Sequence, residues 1–374
     1  MGSCAEKNVK QDAFTYGAVN PILPFILGNR IEIAAGRQDF WISILFTAMG
    51  AGELITAPIC GWLADQTSSR KVPLLFGLLL QGGAIALFGI STSIWVLVIS
   101  RALSGMSSSI VYTVALALVI DTVGPHEVGQ WMGTTLSVAN VGIVISPVIG
   151  GGVYARAGVW GVLLFMIALI ILDIILRLLV IEQKVAKRYY IQASGNTIET
   201  DGPPSNRIGP SSPDAVSQDL RGQAKKLQVP PILQLLRSPR ILSAWYGVFT
   251  QVGILVSFEA TLPLFVRRTF GWNSLGAGLI FLTLGIPCAF GPLVGKLSDK
   301  FGPRRIALVG CVFATPPVIL LRLVERESHA QEILLCVLLA LYGTCYSIML
   351  RHPSPASPSH LIQWTHGQFK LLKW

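Results

Sequence analysis

Ionisable side chains are rare inside the apolar stretches of this chain, and the few found there mark where chemistry can be sought: Asp12, Glu53, Arg101 and Glu259. Glu53 stands near the middle of one stretch (MGAGELITAP) and Glu259 within another (SFEATLPLF). A carboxyl group in hydrocarbon favours its neutral form, which suits a group that takes up and releases a proton. Arg101 lies about two turns inside a third stretch, where a guanidinium is costly unless paired or hydrated. Structural alternatives stand beside these readings. Glu53 can pair with Arg101, Glu259 can reach an interface near Arg267, and Arg101 can snorkel to the membrane surface. Asp173 and Arg177, four residues apart on one helix face, are expected to neutralise each other. Asp121 closes its stretch and is expected to order the loop that follows.

Covalent chemistry has no such foothold. There is no H-E-x-x-H, no Ser/His/Asp-like cluster at membrane depth and no nucleotide loop. The six cysteines form no C-x-x-C and show no metal-ligand spacing with the five histidines. The chain is therefore read as a non-enzyme without metal or cofactor.

The elements that must position these groups are membrane helices. Half of the residues are apolar (52%) and only 13% are charged, against roughly a quarter charged in soluble domains. The mean hydropathy is +0.60. A spanning helix needs about 20 apolar residues. Runs meeting or approaching this cover residues 40–63, 72–91, 94–120, 132–154, 160–181, 241–266, 275–294, 306–324 and 333–350, and a shorter run covers 13–27, interrupted by Pro21 and Pro24. The spacing predicts nine full helices and a short first one. Residues 182–240 are rich in proline, serine and basic residues and are expected to be a disordered linker. The expected organisation is an N-terminal membrane half (12–181), the linker (182–240), a C-terminal half (241–350) and an atypical tail (351–374). Although the net charge is +10, the basic residues are spread through short loops, so nucleic acid is not an expected partner. Most loop Lys and Arg fall in the linker and beside Arg70 and Arg304, which predicts these segments, the N-terminus and the tail on the cytosolic side.

Two hinges repeat. APICGWLADQTSSRK and GPLVGKLSDKFGPRR both carry P-x-x-G-x-L-[AS]-D-x-x-x-x-R-[KR], with Gly61, Asp65 and Arg70 in the first and Gly295, Asp299 and Arg304 in the second. Each follows the second helix of its own half, so the chain reads as a parallel repeat of six-helix units. This pattern resembles the cytosolic loop motif G-x-L-a-D-r-x-G-r-k of the major facilitator superfamily, with Ser68 in place of the second glycine. RALSG, from Arg101, resembles the superfamily's fourth-helix R-x-x-x-G. GIVISPVIGGG, with Gly142, Pro147, Gly150 and Gly151, resembles its fifth-helix antiporter motif, with Ser146 where a glycine is usual. Its alternative reading is plain small-residue packing. DAFTYGAVNPILPF, from Asp12, resembles the first helix of its amine and drug antiporters.

The resemblance implies an all-α polytopic fold of two six-helix halves, here with about ten helices and an incomplete C-terminal half. It implies alternating access in the drug:proton antiporter and vesicular amine transporter-like branch, moving small cationic or amphiphilic organic solutes against protons. The proton gradient is the implied energy source. Asp12, Glu53 and Glu259 would then be proton or cation sites, Arg101 a coupling charge, and the two hinges gate latches, the first closing against an eleventh helix. Membrane lipid, protons and the solute are the implied partners of a monomer in a plasma or vacuolar/vesicular membrane. The alternative expectation is a truncated or splice-variant member of the same family without transport activity.

Overall fold

The computed structural model describes residues 14–66, 71–122, 128–179, 239–287, 303–325 and 328–349. Among the described residues every regular element is helical. In chain order these are α1 (residues 14–19), a 3₁₀ turn (Asn20–Ile22), α2 (Leu23–Asn29), α3 (Gln38–Gln66), α4 (Lys71–Ile90), α5 (Ile94–Thr122), α6 (Val128–Leu179), α7 (Pro239–Phe270), α8 (Ser274–Gly285), α9 (Pro303–Leu320) and α10 (His329–Met349). Among the described residues six helical stretches are long and apolar enough to cross a membrane, and α8 and residues 308–323 are shorter apolar helices.

Local chemistry explains how these helices bend and stop. Pro21 and Pro24 sit in the first turns of the 3₁₀ segment and of α2. A missing N–H costs nothing there, so the two prolines redirect the first helix without ending it, and helical structure runs on to Asn29. The 52 residues of α6 would extend about 78 Å, far beyond a bilayer. Gly158, at φ 63° and ψ −160°, divides them into two spans, as the runs 132–154 and 160–181 lead one to expect. Gly271, also at φ 63°, turns the chain out of α7. Asn273 then caps α8, its side chain accepting from the Gly276 N–H at 2.9 Å.

By its internal contacts the chain divides into two units, Met1–Val180 with Val256–Trp374, and Ile181–Leu255. Of the second unit, the described part is the beginning of α7, where Trp245, Tyr246, Val248 and Phe249 are exposed. The linker expected at 182–240 lies outside the described residues apart from the first residues of α7. In the first unit, α1 and α2 form the axis. Ala18, Ile22, Ile26 and Leu27 are fully buried against Leu45 of α3, Phe88 of α4, Leu97 of α5 and Met166 of α6. On the other flank, Phe25 joins Val266 of α7, Ile280 of α8 and Leu339 of α10 in a second cluster.

Much of the surface of the described helices is apolar. Leu54 is 77% exposed, and Ile59, Trp62, Phe76, Leu79, Leu164, Phe313 and Ile319 are exposed as well. Contiguous exposed apolar surface on this scale is foreign to soluble monomers. It is what hydrocarbon solvates without cost, so the chain is an integral membrane protein.

Candidate functional site

The site is built on the first helix. Tyr16 and Asn20 are four residues apart and so lie one turn above the other on the same face. Both reach Glu259 of α7. The Tyr16 hydroxyl donates to Glu259 Oε2 at 2.5 Å, and Asn20 Nδ2 donates to the same oxygen at 3.1 Å. Glu259 is only 4% exposed, and its hydrogen-bond partners among the described residues are these two neutral groups. Of the two alternatives for Glu259, the interfacial one is corrected. The side chain turns into the bundle, because two donors on α1 satisfy it there.

Arg101 of α5 is 5% exposed, so it does not snorkel. Its guanidinium lies over the Phe88 ring, 5.4 Å from the centroid. Among the described residues its Nε and Nη2 have no hydrogen-bond partner. Arg101 faces a cavity of about 20 Å³ that Tyr16, Gln81, Phe88, Ser104 and Ser108 also line, room for about one water. The Oε1 of Gln81 and the Oδ1 of Asn20 are likewise buried without a partner among the described residues. Ser100 anchors this wall, donating to the Ala84 carbonyl at 2.8 Å, and Ser107 donates to the Gly77 carbonyl at 2.7 Å.

Glu53 of α3 is half-buried, and Tyr16 stands within electrostatic reach of Glu53 and Arg101 as well as of Glu259. Tyr16 is thus the common neighbour of three of the four ionisable groups singled out in the sequence. Asp12, the fourth, lies outside the described residues. Tyr16 and Asn20 were not among the expected site residues. The signal was present in DAFTYGAVNPILPF, where the tyrosine stands four residues after the aspartate.

The other motifs divide between packing and undescribed segments. Pro147, Gly150 and Gly151 of α6 lie between α1 and α8. A Cβ at Gly150 would run into the Ala18 carbonyl, and one at Gly151 into the Ser274 carbonyl. The Ser274 hydroxyl donates to the Gly151 carbonyl at 2.9 Å. Gly142 is buried on α6, and Ser146 donates to the Ile143 carbonyl at 3.2 Å. Gly151 and Pro147 bring α6 into backbone contact with α8 of the other half, and none of these residues lines the cavity. In the first hinge, Gly61 lies on α3 with no atom within 4 Å of where a Cβ would stand. Asp65 is in the last turn of α3, and its side chain and Arg70 lie outside the described residues. So do Gly295 and Asp299 and the side chain of Arg304, which sits in the first turn of α9. Asp173 is buried, while the side chains of Arg177 and Asp121 lie outside the described residues.

The end of α7 is tied to the segments that follow α1. At the last turns of α7, Arg267 donates to the Pro24 carbonyl and, at 3.1 Å, to Asn29 Oδ1, with its guanidinium 4.6 Å from the Phe25 ring centroid. Arg268 pairs with Asp39 at 2.6 Å and donates to the Ala35 carbonyl.

A helical bundle with hydrocarbon-facing surfaces, a buried acid joined to Tyr16 and a buried arginine on a small cavity within the N-terminal half is the build of a polytopic membrane protein. The chain belongs to the Major Facilitator Superfamily, whose family model matches residues 12–361. It is 33% identical over 361 residues to the MFS-type transporter ppzB of Metarhizium rileyi, covering 89% of this chain and 74% of that one. It is 24% identical over 279 residues to the human synaptic vesicular amine transporter, covering 74% of this chain and 47% of the other. Among solved structures, the peptide transporter POT in complex with sulfate superposes with a TM-score of 0.64 at 14% identity, over 93% of this chain and 80% of that one. That likeness is one of fold.

Proposed function

We propose that the chain is a proton-coupled antiporter of small organic solutes carrying an amine or other cationic group, with Glu259 as the exchanging acid. The observation that carries this reading is the Tyr16–Glu259–Asn20 arrangement: a buried carboxylate held by two neutral, replaceable donors. A proton or an ammonium group can take over the Oε2 atom when Tyr16 swings away. Either neutralises the carboxylate, whose unpaired charge is unfavourable in hydrocarbon. A carrier that crosses only when neutralised exchanges one for the other, which is antiport. Tyr16 would report occupancy to Glu53 and Arg101, the other charges it senses. Asp12, Glu53 and Arg101 are assigned supporting roles as proton, cation and coupling sites, and the Asp65–Arg70 and Asp299–Arg304 hinges as latches for alternating access.

The proton gradient supplies the energy, and no cofactor or covalent step is assigned. The carrier acts as a monomer in a plasma or vacuolar/vesicular membrane with the hinges on the cytosolic side. The amine named in the human relative supports the cationic solute class. The test is uptake of radiolabelled amines into proteoliposomes under an imposed pH gradient, wild type beside Glu259→Gln. Gradient-driven uptake that the variant loses supports the reading; uptake equal in both excludes Glu259 as the exchanging group.

A further inference from the structure

Resting on that reading of the site, we infer that the solute is amphoteric: besides its cationic group it carries a carboxylate, and Arg101 is the subsite that receives it. The Nε and Nη2 atoms form one edge of a guanidinium. On Arg101 that edge is buried and without a hydrogen-bond partner among the described residues, on a side chain 5% exposed at the wall of the cavity. A guanidinium buried in this way carries an unmet demand for an anionic acceptor. The two parallel N–H bonds of that edge fit the two oxygens of a carboxylate. Phe88 covers a face of the group and leaves the hydrogen-bonding edge in its plane. The Ser104 and Ser108 residues on the same wall add small polar surface around it.

The opposite chemistry gathers at the Tyr16 hydroxyl, which donates to Glu259. Glu259 and the partnerless Asn20 Oδ1 are both acceptors, suited to the N–H donors of an ammonium group. Tyr16 joins the two chemistries, lining the Arg101 cavity and bonding Glu259 through its hydroxyl, so a zwitterion whose carboxylate meets Arg101 and whose ammonium group replaces Tyr16 at Glu259 satisfies both groups. A purely cationic solute would leave the Arg101 edge unmet and bring a second positive charge toward it.

The experiment measures thermal stabilisation of the purified full chain by three probes on one carbon skeleton: phenethylamine, 3-phenylpropionate and phenylalanine. Each is titrated against wild type, Arg101→Lys and Arg101→Gln. Phenylalanine is expected to stabilise most and the propionate measurably. Arg101→Gln should weaken both by roughly ten- to a hundredfold, the loss of one charge-assisted pair, and should not weaken phenethylamine, which loses a like charge nearby. Arg101→Lys should recover part of the loss. Because an uncompensated buried charge is removed, the unliganded Arg101→Gln chain is expected to melt no lower than wild type. Equal stabilisation by amine and amino acid, no stabilisation by either carboxylate, or equal responses in Arg101→Gln overturn the inference. The antiport reading fails separately, when gradient-driven phenethylamine uptake is indifferent to Glu259→Gln.

Discussion

At the scale of single residues, Tyr16 decides how the site behaves, because it holds Glu259 by a 2.5 Å bond and borders the Arg101 cavity. Tyr16→Phe removes one donor to a charged acceptor and leaves the ring in place. Bonds of that type contribute about 1.5–3 kcal/mol. The carboxylate would be freed for solute or proton, so amine binding is expected to tighten while coupling to the proton gradient falls by roughly tenfold or more. Equilibrium binding and gradient-driven flux measured on the same preparation check both halves of this. The pH dependence has a definite sign. On the proposed antiport a proton and an ammonium group compete for the Glu259 carboxylate, so the apparent affinity for an amine is expected to rise as pH rises. In Glu259→Gln that rise is expected to vanish, leaving a flat profile in a titration of amine binding. The sequence pointed to Glu259, Glu53 and Arg101 because a charge in an apolar run is conspicuous. Tyr16 and Asn20 were less legible, since a tyrosine and an asparagine in a mostly apolar helix are unremarkable until a carboxylate 239 residues after Asn20 comes to meet them.

Among elements, the packing of α6 between α1 and α8 sets what can move. Gly150, Gly151 and Gly278 each lie against the backbone of a neighbouring helix, at Ala18, Ser274 and Pro147 respectively. No side-chain rotation can relieve a clash with a carbonyl. Gly150→Val is therefore expected to destabilise by about 1–3 kcal/mol, as overpacking does, and to do so without altering the site chemistry. Thermal unfolding in detergent would show it as a lower Tm, with any folded fraction still binding amine at unchanged affinity. Gly61→Ala, where a Cβ meets open space, serves as the tolerated comparison. The α7 end carries the Arg268–Asp39 pair, 39% and 59% exposed. Exposed pairs contribute about 0.2–1 kcal/mol. On the proposed alternating access, Arg268→Asp should shift closure of that end up to about fivefold, and Asp39→Arg in the same chain should restore it. Labelling of a cysteine placed in the cavity, from each side of a sealed vesicle, reads the change. Most helix positions were legible from apolar run length alone. The course of residues 20–24 was not, because whether a proline ends a helix or starts its next segment depends on which turn it occupies.

For the whole molecule, the solvent is the deciding partner. The exposed faces of α3, α4 and α9 carry Leu54, Ile59, Phe76, Leu79, Phe313 and Ile319, while the polar residues Arg101, Gln81, Glu259 and Asp173 are buried. Composition made this inversion legible, since 13% charged residues cannot cover a chain of this length with polar surface. It could not say which apolar residue faces lipid and which faces a neighbouring helix, because in hydrocarbon both positions accept the same side chains. A single substitution separates the two solvents. Leu54 is 77% exposed on α3, one residue beyond Glu53, and Leu54→Lys on a water-facing surface would leave stability unchanged within about 0.5 kcal/mol. Facing hydrocarbon near the middle of a span, the same lysine costs about 2.5–3.5 kcal/mol of insertion free energy. The α3 segment of the variant is therefore expected to insert roughly a hundredfold less favourably in a glycosylation-based insertion assay. Unchanged insertion would place that face of α3 against water, and the exposed apolar surface would then need a covering protein in place of lipid.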